Sequence, residues 1–104
     1  MEKIKTYLHT EWIHDNNEYP SHIYSELDED RYETRKIDLW KDGRIAFAFD
    51  NIEYGDTFLG IEPMPLLVDL NGVDEWGEEI IAKEITAEEF EKVWQEKVVP
   101  LLDI

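Results

Sequence analysis

The sequence predicts an α+β domain: an antiparallel sheet of four to five strands with a C-terminal helix packed on one face. Three observations carry this. Strand-like runs rich in aromatic and β-branched residues fill the first half. Lys41-Asp42-Gly43 separates two such runs in the manner of a hairpin turn. Thr86 and Glu89 form a capping box ahead of an apolar stripe with helical spacing.

From Ile4 to Ile13 the residues favour a first strand, with Ile4, Leu8 and Trp12 on one face. His14-Asp15-Asn16-Asn17-Glu18 is a polar turn, and a second strand runs from about His22 to Leu27, with Ile23 and Leu27 on one side. Asp28-Glu29-Asp30 turns the chain into a hairpin spanning Tyr32 to Asp50. A two-residue turn at Asp42-Gly43 would set charges opposite large apolar residues. A three-residue loop, with Gly43 left-handed, pairs Leu39 with Ile45 and Ile37 with Phe47. It gathers Ile37, Leu39, Ile45, Phe47 and Phe49 on one face, so the three-residue loop is expected.

Asn51 to Pro65 reads as loop, and Pro65 opens a short helix through Leu66, Leu67 and Leu70, with Gly72 past its end. Glu78 to Ile85 is a further strand. In the closing helix, Ile85 and Phe90 sit at staple positions, and Phe90, Val93, Trp94 and Lys97 or Val98 form the buried stripe. Glu88, Glu89 and Glu91 lie where the helix dipole favours anions. Pro100 is expected to stop the helix near Val98 or Val99. Phe47 and Trp94 are expected core contacts.

The chain of 104 residues suits one domain, residues 1–104, without repeats or a Ser/Gly/Pro linker. It has no Cys, hence no disulfide, thiolate metal site or thiol nucleophile. The opening residues lack the apolar core of a secretory signal and no stretch approaches a membrane span, so a cytoplasmic location is expected.

Acid–base hydrolysis needs two carboxylates in unlike environments, but the acids here mostly fall in solvated runs such as Asp28-Glu29-Asp30. A zinc site from His14, Asp15 and His22 would need convergence of the first two strands; these read as polar strand-end residues. Ser21 and Ser25 lie in no nucleophile elbow, and the glycines form no phosphate loop. No cofactor or metal is expected.

Charge is more informative. The 26 acidic residues against 10 basic ones give a net charge of −16, which disfavours nucleic acid and anionic membranes and favours basic protein partners. Five of the ten cations fall between Arg31 and Arg44, interleaved with Glu33, Asp38 and Asp42, as in a cross-strand ion-pair lattice. Between Ile45 and Ala82 there are nine acidic residues and no Lys or Arg. Acidic rims around aromatic anchors suit docking to a basic protein. The expected contacts are Glu53, Tyr54, Asp56, Asp74, Glu75 and Trp76.

Several segments together resemble a family of small bacterial domains of unknown function: Glu11-Trp12-Ile13-His14, Ile23-Tyr24-Ser25-Glu26-Leu27-Asp28, Arg31-Tyr32-Glu33-Thr34-Arg35-Lys36-Ile37, Asp42-Gly43, Leu59-Gly60-Ile61-Glu62-Pro63-Met64-Pro65 and Ile85-Thr86-Ala87-Glu88-Glu89-Phe90. The resemblance spans nearly the whole chain and brings no activity or functional residue with it. By analogy of size and charge, small acidic immunity proteins that neutralise toxin domains are similar. The expectation is a non-catalytic protein-binding module of that kind, which covers the cationic groove of a basic, nuclease-like toxin. The alternative is a small enzyme or ligand-binding domain with a pocket near Trp12, His14 and Tyr24. A homo-oligomeric structural subunit is a third reading.

Overall fold

The computed structural model describes residues 5–75 and 77–102. Alternating and β-branched residues form β1 (Thr6–Ile13), β2 (His22–Leu27), β3 (Glu33–Leu39) and β4 (Ile45–Phe49). A three-residue edge strand follows, β5 (Ile52–Tyr54), then α1 (Leu67–Leu70), β6 (Gly72–Val73) and β7 (Glu79–Ile85). The chain closes with α2 (Ala87–Val93), a π-helical turn over Trp94–Val98 and α3 (Val99–Leu102). The strands form one antiparallel sheet in the order β5-β4-β3-β2-β1-β7-β6.

The α+β layering matches expectation, but the sheet has seven strands rather than four or five. The two additional strands are the edges, β5 and β6. At three and two residues, neither is long enough to display the alternation that marks a strand in sequence. The β3–β4 hairpin has the three-residue loop. Leu39 pairs with Ile45 and Ile37 with Phe47, Trp40 N–H donates to the Arg44 carbonyl, and Gly43 takes a φ of 95°.

The C-terminal helix docks through the expected stripe. Ile37, Phe47, Ile85, Phe90, Trp94 and Val98 form the buried core, flanked by Tyr7, Tyr24, Leu39, Ile45 and Phe49. Phe47 and Trp94 meet edge to face at 6.2 Å between centroids. The capping box is complete: Glu89 N–H donates to Thr86 Oγ1 at 3.1 Å, and Thr86 N–H to Glu89 Oε1 at 3.4 Å. The helical path does not end at Pro100. It widens into the π turn, where Val99 N–H bonds the Trp94 carbonyl, and continues to Leu102. Pro100 has no N–H for a continued α ladder, and the wider turn ahead of it accommodates the ring.

Glu26 and Arg35 tie helix to sheet. Arg35 bonds both Glu26 carboxylate oxygens, at 3.0 and 2.6 Å, and also reaches Glu91 on α2. Its guanidinium lies 4.8 Å from the Phe90 ring centroid and 4.7 Å from that of Trp94. Although burial opposes it, hydrogen bonding to Arg35 and Thr34 lowers the Glu26 carboxyl to about 2.

The two apolar faces foreseen in the sequence lie on opposite sides of the sheet. Strand register puts Leu8, Trp12, Ile23 and Leu27 on the side away from the helix. Leu8, Ser25, Leu27, Ala46 and Ala48 are buried there. Because β5 and β6 are the two edges, the chain must cross this second face between them, and residues 55–71 do so.

Candidate functional site

This crossover is a strap fastened by polar groups. Near β4, a Cβ added at Gly55, where φ is +77°, would lie 2.9 Å from Ala46 Cβ. Glycine beside alanine therefore lets the strap's backbone lie directly on the sheet. Further along, Gly60 N–H donates to Glu33 Oε1 at 2.7 Å, and Ser25 Oγ donates to Glu33 Oε2 at 3.4 Å. Arg31 donates to the carbonyls of Met64 and Pro65, at 2.8 and 2.7 Å, and Met64 N–H returns a bond to the Arg31 carbonyl. At the far edge the Asn71 carboxamide stands in for a missing strand residue. It donates to the Ala82 carbonyl at 2.8 Å and accepts the Ala82 N–H at 2.7 Å.

Under the strap, Asp38 and Thr57 are buried together. Burial pushes the Asp38 carboxyl up, against smaller pulls from Lys36 and the Thr57 hydroxyl. Neither Asp38 Oδ1 nor Thr57 Oγ1 completes a hydrogen bond.

The strap divides its apolar side chains: Leu59, Met64, Leu67 and Leu70 are half-buried, whereas Ile61, Val68, Phe58 and Leu66 are exposed, and Lys36 Nζ stands 5.9 Å from the Phe58 ring centroid. Sequence reasoning read this stretch as loop and helix and did not place these residues outward. A backbone held by side-chain bonds over long sequence separations leaves no periodic trace.

The fold distributes the sequence-predicted contacts. Glu53 and Tyr54 lie on β5 and Asp56 just after it, while Asp74 and Glu75 lie in the β6–β7 turn. These are opposite edges of the sheet, six strand spacings or about 29 Å apart. The two groups therefore do not form one cluster, because the crossover between them spans the whole sheet. Tyr54 also stacks on Phe47, with centroids 4.9 Å apart. Asp74 has structural partners: its Oδ2 accepts the Trp12 indole N–H at 3.2 Å, and its Oδ1 accepts Glu78 N–H at 2.9 Å. Trp76 lies outside the described residues.

The charges sort unequally. Lys5 and Arg35 pair with Glu26, Lys36 with Glu33, and Arg44 with Asp42. Arg31 is committed to strap carbonyls, and Lys41 donates to the His14 carbonyl at 2.6 Å. By contrast, Asp50, Glu53, Asp56, Glu62, Asp69, Glu75, Glu78 and Glu79 enter no ion pair among the described residues.

The alternative pocket assembles in part: a hollow of about 790 Å³ adjoins His14 and another of about 480 Å³ adjoins Trp12 and Tyr19, but Tyr24 lines neither. Trp12 and His14 are neighbours, 4.7 Å between centroids. Tyr24 lies across the sheet, stacked on His9 at 4.3 Å. Both nitrogens of the buried His14 are used: Nε2 lies 2.8 Å from the Pro20 carbonyl, and Nδ1 accepts Asn16 N–H at 3.1 Å. This requires the neutral ring with its proton on Nε2. His22 instead bonds His9 at 2.9 Å, and burial, then His22, lowers the His9 pKa. The set His14, Asp15 and His22 is thereby parted, and no metal-ligand cluster of three or more forms among the described residues. A groove of about 430 Å³ adjoins His9 and Tyr24, lined by Lys83, Glu89, Lys92 and Glu96.

No helix among the described residues is long and apolar enough to cross a membrane. Neither a curated protein nor a solved structure matches the chain. One family model covers residues 6–99, which includes every strand of the sheet and the whole strap. The chain therefore belongs to the family described as domain of unknown function DUF6881.

Proposed function

We propose that this domain is a non-catalytic, acidic protein-binding module that acts in the cytoplasm by docking on a basic protein. Its finer form is an immunity-type inhibitor that covers the cationic groove of a nuclease-like toxin. The carrying observation is the asymmetry of charge. The described cations of the first half are engaged by carboxylates or backbone carbonyls, whereas eight carboxylates between Asp50 and Glu79 are without ion-pair partners among the described residues. Such a surface accelerates encounter with a cationic partner. The separation of Glu53, Tyr54 and Asp56 from Asp74 and Glu75 does not oppose this, since the strap with Glu62 and Asp69 joins the two edges across one face. The pocket alternative has weaker support, because Tyr24 and His14 do not converge.

The test is binding to basic proteins encoded beside this chain's gene, measured from low salt to about 1 M, where the screening length falls to roughly 3 Å. The reading expects affinity to drop by a factor of about 100 or more. Binding of equal strength at both ends would contradict an electrostatic encounter.

A further inference from the structure

We infer that the strap is the contact surface, and that it fits a partner presenting an apolar cleft within a basic rim. This rests on the protein-binding reading and locates it. Ile61 is 88% exposed, Val68 79%, Phe58 64% and Leu66 56%. Large apolar side chains gathered on one exposed segment mark interaction sites in soluble proteins. Folding does not require these four outside. The strap is fastened through its backbone by Arg31 and Glu33, through its own Asn71 side chain to the Ala82 backbone, and by Gly55 against Ala46. A hollow of about 360 Å³ beside Ile61, between Glu33 and Met64, adds relief that a partner side chain can enter.

Charge selects the occupant. Asp56, Glu62 and Asp69 are interspersed along the strap, and Arg31 fixes it beside the turn that carries Glu29 and Asp30. A second copy of this chain, itself carrying a net −16, would set a like-charged molecule against this acidic segment, so self-association is opposed. A basic partner with apolar sockets satisfies both the exposed side chains and the rim. Lys36 over Phe58 already shows a cation resting on one strap ring.

The experiment uses the full chain as bait for a displayed library of random peptides, with polylysine as a charge-only probe. The inference expects recovered peptides to combine Lys or Arg with apolar residues. The Ile61→Ser/Leu66→Ser variant should bind them at least tenfold more weakly while binding polylysine as the parent does. Its thermal melting should stay at the parent's value, since both side chains are exposed. The Glu88→Gln/Glu96→Gln variant, altered on the helix side, should retain peptide binding. If recovered peptides are basic but insensitive to the strap variant, the surface lies elsewhere and this inference fails, although the protein-binding reading stands. Recovery of neutral or acidic peptides alone overturns both. A dimer in sedimentation that Ile61→Ser dissolves would overturn the inference in favour of a self-contact.

Discussion

The helix covers its face of the sheet with fully buried side chains, and the strap covers the other with backbone and half-buried ones, Leu59, Met64, Leu67 and Leu70. On the helix side Phe90, Trp94 and Val98 are buried against Ile37 and Phe47. On the strap side the sheet buries Leu8 and Leu27 beside the small residues Ala46, Ala48 and Ser25, and the strap is held by Arg31, Glu33 and Asn71. The first arrangement consumes apolar surface and supplies stability. The second leaves apolar surface outside, next to unpaired carboxylates. A sheet closed on both faces can thus assign one to folding and keep the other for contact.

Substitutions can break this contrast, beginning on the helix side. Phe90→Ala removes a ring that is fully buried and should cost about 3–5 kcal/mol in denaturant unfolding. A cost below about 1 kcal/mol would mean that the helix does not carry the core.

Glu26→Gln should cost about 2–3 kcal/mol, because it removes the main partner of a largely buried Arg35. Folding holds this carboxylate at about 2, below its ordinary 4.5. Its contribution is therefore complete above about pH 4.5 and is lost as the pH falls toward 2. In the variant the loss of stability across that window should flatten. An acid limb identical to the parent's would rule the pair out as its source.

Asp38→Asn should act in the opposite sense. Burial raises this carboxyl above its ordinary 3.8, so its contribution is complete below 3.8 and is lost as the pH rises through the raised value. Near pH 7 the charged form is a cost, and the amide should stabilise by about 1 kcal/mol. That gain should vanish in acid, where the parent is itself neutral. Destabilisation at pH 7 would show instead that the strap needs the charge. The smallest effect belongs to Ile61→Ser and Leu66→Ser, each within about 0.5 kcal/mol of the parent in unfolding. A larger loss would make the strap's apolar residues part of the core.

The same contrast explains what could be read in advance. The hairpin register followed from matching Leu39 with Ile45 and Ile37 with Phe47, and the helix from Thr86, Glu89 and a 3.6-residue stripe. These are local patterns with a period. The short edge strands have no period to display. The strap depends on bonds over long sequence separations, Arg31 to Met64 and Glu33 to Gly60, which no local pattern announces. For the site, the excess of acid between Ile45 and Ala82 was legible as composition. Its division between two sheet edges was not, because proximity along the chain at Glu53–Asp56 and Asp74–Glu75 says nothing of strand order.

Amide hydrogen exchange with and without a recovered basic peptide tests the docking face most directly. Binding should slow exchange along residues 57–71 and leave residues 87–98 unchanged. Protection of the helix with an unaltered strap would contradict the assignment of contact to this side of the sheet.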